Sequence, residues 1–285
     1  MDITVYIPTR GRIGLSTQIT LREIRDLTRG QITPVLLCPP NEVDQHLRYY
    51  PRVLACPADN INKTHEWLLL NANSGHPDLN TRGVVTLDDD MYFSRRVNPN
   101  EATPLERVTD LMPMFDWISD RLDNGYAHGG ISARQGNNHI PRSTVDCIRV
   151  NNAHFFDSSV FQGEEIRLPQ APVMHDFYFS LKLLTLGYPN TVAYHHCWSQ
   201  RGSGTKGGCS IYRTQELQRT WCETLHREFP DFVKIVTKKA LSGGSVFSGE
   251  RIDVNIQWLK AWEGRDPIPP AKIGYNAAVP NLARK

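Results

Sequence analysis

Three consecutive carboxylates, Asp88-Asp89-Asp90, follow the apolar run Val84-Val85-Thr86-Leu87. Like charges side by side repel, and a strand end in an α/β sheet is where ligands sit, so the triplet calls for a positive partner. Alternate side chains of an extended backbone share a face. Asp88 and Asp90 are therefore placed to hold one hard divalent cation, with Asp89 turned elsewhere. Mg²⁺ or Mn²⁺ held this way keeps positions open for phosphate oxygens and offsets charge developing on a diphosphate leaving group. A solvated acidic turn is the alternative. Further on, the loop Arg201 to Gly208 carries Arg201, Lys206 and several glycines. Its cations and backbone N–H groups suit a diphosphate clamp, and an ordinary surface loop has the same composition.

The elements around these residues alternate. Ile3 to Pro8 reads as a strand, Thr9-Arg10-Gly11-Arg12 as a turn, and Ser16 to Thr28 as a helix with Ser16 or Thr17 able to cap it. Strands follow at 33–38, 52–56 and 82–87, separated by helical stretches near 42–47 and 63–71. The β-α-β order predicts a parallel sheet. A helix is expected over 105–122, β-like pieces over 127–133 and 147–156, a buried helix over 176–186 ended by Gly187, a strand at 191–195 and a helix at 214–228. The prolines at 267, 269, 270 and 280 mark an extended tail.

This pattern resembles the GT-A glycosyltransferase superfamily. Ile7-Pro8-Thr9-Arg10-Gly11-Arg12 matches its first strand and turn, and Val84 to Asp90 matches its D-x-D element. The segment from His175-Asp176-Phe177 to Leu186-Gly187-Tyr188 is similar to a helix that many inverting members open with an acidic pair, here with His175 in place of a Glu. The resemblance implies Asp176 as general base. The chemistry agrees, because a carboxylate at a helix start is aimed by free backbone N–H groups, although Asp is also an ordinary N-cap. It further implies a His as an additional metal ligand, and of His195 and His196 strand alternation turns only one inward, which favours His196. Thr9, Arg10 and Arg12 lie where the superfamily contacts base, ribose or phosphates, with Asp88 and Asp89 beside them. Asp59 is placed to accept from a uracil N–H or to cap the helix containing Lys63. The implied donor is a UDP-sugar, bound with Mn²⁺ or Mg²⁺.

The same residues look similar to the TET-associated glycosyltransferases of bacteriophages, which implies 5-hydroxymethylpyrimidine in DNA, such as hydroxymethylcytosine, as acceptor. Three other readings stay open: a glycosyltransferase acting on a saccharide, lipid-linked or protein hydroxyl; a nucleotidyltransferase of the same fold; and a non-enzymatic DNA-binding module, which leaves Asp88 to Asp90 unexplained. One catalytic domain is expected over 1–228, with a nucleotide-sugar half at 1–90, an acceptor half at 91–228 and a C-terminal extension, 229–285, packed on the body.

Composition sets limits on these readings. The 285 residues are 40% hydrophobic and 22% charged, as in a globular chain. The formal charge is only +2, which excludes indiscriminate coating of polyanions. That sum has opposed parts: Met1 to Asp176 hold 17 basic and 22 acidic residues, Phe177 to Gly249 hold 9 and 4, and the remainder 6 and 4. A phosphate backbone would rest on the later part. No apolar run approaches the roughly 20 residues of a membrane helix, and no secretory pattern opens the chain, so an intracellular protein without a membrane partner is expected, in the host cytoplasm if viral. The six cysteines form no C-x-x-C pair and are expected reduced. Cys197, Cys209, Cys222 and His226 have the residue types, though not the standard spacing, of a zinc site.

Overall fold

The computed structural model describes residues 3–72, 74–161, 173–200, 214–239 and 249–266. Four short strands open it: β1 (Ile3–Pro8), β2 (Val35–Cys38), β3 (Val53–Ala55) and β4 (Gly83–Thr86). They lie parallel in the order β3-β2-β1-β4. Parallel neighbours need crossovers. Helices α1 (Ile19–Leu27), α2 (Val43–Leu47) and α3 (Ile61–Asn71) provide them.

The sheet continues through β5 (Tyr92–Arg96), β6 (Leu105–Arg107), β7 (His128–Ala133), β8 (Thr144–Asp146), β9 (His154–Asp157) and β10 (Asn190–Ser199). Beyond β4 the order is β9-β7-β10-β5-β6, with β8 also on β10. The pairing of β7 with β10 is parallel and the others in this half are antiparallel. The outcome is the expected α/β sheet flanked by helices. Its parallel pairings are concentrated in the first half.

Alternation along the strands divides the core into two layers. Val5 and Ile7 face α1 and α4 (Met112–Asp123), packing with Ile24, Phe115 and Ile118. Tyr6 points the other way, with Leu68 of α3 and with Phe179 and Leu183 of α5 (His175–Thr185). Gly187, at φ 91°, ends α5 as expected. The helix expected from 105 begins only at Met112. Residues 105–107 instead form edge strand β6, and Pro113 occupies the first turn of α4, where its missing N–H costs nothing. Between β7 and β9 the backbones approach closely. A Cβ at Gly130 would lie 2.2 Å from the Ala153 carbonyl oxygen, and one at Gly129 2.1 Å from the Phe155 ring.

After α6 (Gln215–Glu228) the chain forms an antiparallel hairpin, β11 (Val233–Lys239) with β12 (Glu250–Ile256), and a short helix α7 (Trp258–Trp262). Tyr178, Leu181 and Leu184 of α5 join Cys222 and Leu225 of α6, Val233, Val254 and Ala261 in a third cluster. The described residues 229–239 and 249–266 thus pack on α5 and α6. The four tail prolines lie outside the described residues.

Candidate functional site

Parallel strands point their C-terminal ends to one edge, which brings Thr9, Asp59 and Asp88 to Asp90 together from the ends of β1, β3 and β4. The Thr9 hydroxyl donates to Asp89 Oδ2 at 2.7 Å and accepts from Gln18 Nε2 at 2.8 Å. Arg12 donates to Asp89 Oδ1 and, at 3.1 Å, to Asp90 Oδ2. The Thr20 hydroxyl donates to the Asp88 carbonyl and accepts from the Met91 N–H at 2.8 Å. The turn after β1 and the start of α1 are thereby bound to the triplet. Neither Ser16 nor Thr17 caps α1, whose N-cap is Gln18 without a side-chain cap bond.

The alternation expected within the triplet is not observed, because the chain turns after β4 instead of continuing extended. Asp89 and Asp90 share Arg12, while Asp88 turns toward the second half of the sheet. There Asp88 Oδ2 accepts from Asn152 Nδ2 at 2.8 Å and from Gln200 Nε2 at 2.7 Å. Burial pushes the Asp89 carboxyl up to about 7, against the opposing pull of Thr9 and Arg12. Burial raises Asp88 as well, partly offset by its two amide donors. Three acids share one guanidinium, so burial favours the neutral forms of Asp88 and Asp89 until a further cation joins them. Among the described residues nothing donates to Asp88 Oδ1 or Asp90 Oδ1. Mg²⁺ and Mn²⁺ commonly take one or two carboxylates and complete their shell with phosphate and water, and these are the two oxygens of the triplet left open to such an ion. No group of three or more His, Cys, Asp or Glu among the described residues is arranged to hold a metal ion.

His196 lies apart from these carboxylates. It sits in β10 opposite Arg95 of β5, four residues and ~13 Å of strand before Gln200. Strict alternation also fails there: a bulge between Ala193 and Cys197 brings the His195 and His196 rings to 4.6 Å, and His195 Nδ1 is 2.9 Å from the Ser143 carbonyl. Burial pushes His196 down to about 3.

Arg10 is exposed and holds the loop after β3, donating to the Asp59 carbonyl at 2.6 Å and the Ala58 carbonyl at 2.9 Å. Asp59 does not cap α3. Asn60 does, accepting from the Lys63 N–H at 3.0 Å. The exposed Asp59 carboxylate meets Lys63 Nζ at 2.9 Å, and that contact lowers its pKa.

Asp176 lies in the first turn of α5, buried, and Met174 is the N-cap, so a capping role is excluded. Its Oδ2 accepts from Arg149 Nε at 2.6 Å, and the Arg149 Nη2 makes a second contact. The Arg149 guanidinium stands 3.8 Å from the Phe177 ring centroid. Arg149 and Asn152 are three steps apart in the chain, at most about 11 Å between Cα atoms. The segment 149–152 therefore touches Asp176 at one end and Asp88 at the other. Arg201 and Lys206 lie outside the described residues.

Arg149, Asn152 and Gln200 were not marked by sequence reasoning, since amide and guanidinium donors reaching across 27 to 112 residues leave no local motif, and neither was Gln18, which bonds locally to Thr9 and to the Arg12 carbonyl. The zinc combination does not form among the described residues. The His226 Nδ1 meets the Val233 carbonyl at 2.8 Å, Cys222 packs on Met174, and burial pushes the Cys197 and Cys222 thiols up to about 11, away from thiolate. Cys209 lies outside the described residues.

No family model matches the chain, and no curated protein does. Among solved structures it is similar to glucosyl-3-phosphoglycerate synthase from Mycobacterium tuberculosis in complex with Mg²⁺ and uridine diphosphate, at 12% identity and TM-score 0.45, covering 82% of this chain and 83% of that one. It is similar to a mycobacterial protein at 11% identity and TM-score 0.47, covering 89% and 83%. It is also similar to S. aureus TarS at 12% identity and TM-score 0.45, covering 79% of this chain and only 66% of that fragment's length. Likenesses at these identities and scores transfer no activity.

Proposed function

We propose that the chain is a GT-A-type glycosyltransferase that moves a sugar from a nucleotide-diphosphate sugar, with UDP-sugar the first choice, to a hydroxyl. The observation carrying this reading is the triplet Asp88 to Asp90 at the C-terminal edge of the parallel strands, bound to Thr9 and Arg12 and facing the segment that holds Asp176. Asp88 and Asp90 would hold Mg²⁺ or Mn²⁺, which supplies charge neutralisation to a diphosphate leaving group. Arg12 fixes the two neighbouring carboxylates, and Thr9 and Arg10 line the nucleotide side, with Asp59 beyond them. His196 remains a candidate ligand only if β10 shifts on binding. Arg201 and Lys206 are assigned to the diphosphate from sequence alone.

In the transfer, the acceptor oxygen bonds to the anomeric carbon as the bond from that carbon to the diphosphate oxygen breaks. The nucleoside diphosphate leaves, and the acceptor proton passes to Asp176. Among the described residues Asp176 Oδ1 accepts no hydrogen bond, while Arg149 holds Oδ2, so one oxygen is oriented and the other is open. The preferred acceptor is 5-hydroxymethylpyrimidine in DNA. Support comes from the resemblance in Ile7 to Arg12 and Asp88 to Asp90, and from the basic balance after Asp176.

Thermal melting with a panel of nucleotide sugars and Mn²⁺ or Mg²⁺ tests the donor assignment. A bound donor at one hundred times its Kd should stabilise the fold by ~2.7 kcal/mol. Asp90→Ala should remove that gain without altering the unliganded melt. If no nucleotide sugar stabilises the protein with either metal, the donor assignment fails.

A further inference from the structure

A cavity of ≈ 410 Å³ lies beyond Asp176, between the start of α5 and the hairpin β11–β12. Its walls include Arg149, Phe177, Lys238, Arg251, Asp253 and Trp258. Three of these are cations. Lys238 and Arg251 are directly opposite each other across the hairpin, a like-charge pairing that costs stability unless something negative sits between. Asp253 provides part of that, meeting Lys238 Nζ at 3.1 Å and an Arg251 Nη at 3.0 Å. Among the residues that line this cavity, one carboxylate thus faces the two hairpin cations, while Glu216 and Glu250 lie on the other side of Arg251. Among the described residues Arg251 Nε has no hydrogen-bond partner.

The aromatic side chains give the cavity a second character. Phe177 and Trp258 lie 6.0 Å apart between ring centroids at 37°, with the Arg149 guanidinium over Phe177. A planar ring can stack on such a wall, and an adjacent phosphate can meet the hairpin cations. Lys234 shares a strand face with Lys238, ~13 Å away, and is exposed. The positive track thus continues past the cavity, as a polymer of phosphates requires and a single phosphate does not.

We infer that this cavity is the acceptor subsite and binds a nucleotide unit of a nucleic-acid strand, its base against Trp258, which Phe177 backs, and its phosphate against Lys238 and Arg251. Arg149 joins it to the chemistry, because the same guanidinium forms one wall and holds Asp176. The inference rests on the transferase reading for the word acceptor, whereas the binding itself does not.

The test is fluorescence anisotropy of a labelled single-stranded oligodeoxynucleotide containing 5-hydroxymethylcytosine, on the full chain, with melting curves run alongside. Lys238→Gln and Arg251→Gln should each weaken binding about tenfold and lower its salt dependence, while Arg25→Gln on exposed α1 leaves it unchanged. Trp258→Phe should weaken binding less, and Trp258→Ala more. A mononucleotide should compete better than inorganic phosphate at equal concentration. Unchanged binding in folded Lys238→Gln and Arg251→Gln overturns the inference, as does equal competition by inorganic phosphate or absence of oligonucleotide binding by the native chain. Loss of oligonucleotide binding in these variants, with no nucleotide sugar bound by any form, would keep the cavity assignment and remove the transferase reading.

Discussion

The two ends of the candidate site are built in opposite ways. At the edge of β1 and β4, three carboxylates contiguous in sequence meet a single guanidinium, which holds Asp89 and Asp90, while two amides hold Asp88, and the acids outnumber their cation. Beyond Asp176, residues 149, 177, 238, 251 and 258 converge on a cavity whose surplus is positive. A negative end suits a metal and a diphosphate, and a positive end suits an anionic acceptor. The difference teaches that the near-neutral sum of the chain conceals two complementary fields, joined by the short segment 149–152.

Breaking the join should have the largest effect. Asp176→Asn keeps the shape and the Arg149 contact on one oxygen but removes the proton acceptor. Transfer should fall about 10²- to 10⁴-fold with donor-induced stabilisation retained, as initial rates and melting curves would record. Normal rates would separate Asp176 from the chemistry and leave the two ends without a common reaction.

Beneath the join lies a set of buried imidazoles. His128 Nε2 and His154 Nδ1 are 3.3 Å apart, and the His65 ring is 5.5 Å from His154. Burial pushes His65 and His128 from 6.5 down to about 3, and His154 well below its usual range. The unfolded chain takes up protons below ~6.5 and the folded rings do not. Stability should therefore be flat on this account above that pH and decline as pH falls toward 3, by about 1.4 kcal/mol per unit for each ring. Urea unfolding of His128→Phe between pH 4 and 7 should show a slope smaller by roughly one proton. Identical slopes would mean that the ring is already charged in the fold.

A smaller loss is expected from packing at the same seam. Gly130→Ala drives a Cβ against the Ala153 carbonyl and should cost about 1–3 kcal/mol, read from chemical denaturation. Because Asn152 and Arg149 lie just before Ala153, oligonucleotide and donor binding should both weaken in this variant. If only one does, the two ends are mechanically independent. Least of all, Asn60→Ala removes the α3 cap and should cost ~1 kcal/mol while leaving oligonucleotide binding intact.

The negative end was legible in the sequence because its chemistry is local. An apolar strand run followed by three acids needs no distant partner to be noticed, and a Thr-Arg-Gly-Arg turn after a strand ending in Pro8 marks the facing loop. Strands β1, β2 and β4 were equally visible, since burial on both faces makes them continuous apolar runs, and the half-buried edge strand β3 is apolar as well. The β6 segment was missed because Leu105-Glu106-Arg107 carries no alternation, yet Pro113 does mark where α4 starts. The metal role expected of His196 could not be judged from alternation, because one bulge in β10 resets which way side chains point. The positive cavity was visible only as a charge balance. Its residues lie far apart in the chain, and a lysine on a hairpin looks like any solvated lysine until its cross-strand neighbour proves to be an arginine.

The most direct test is product analysis with a UDP-sugar, Mn²⁺ and an oligodeoxynucleotide carrying 5-hydroxymethylcytosine, comparing the native chain with Asp90→Ala. The account expects uridine diphosphate in equal amount to glycosylated oligonucleotide, and neither product from the variant. Pyrophosphate as the released product, or undiminished turnover by Asp90→Ala, would contradict it.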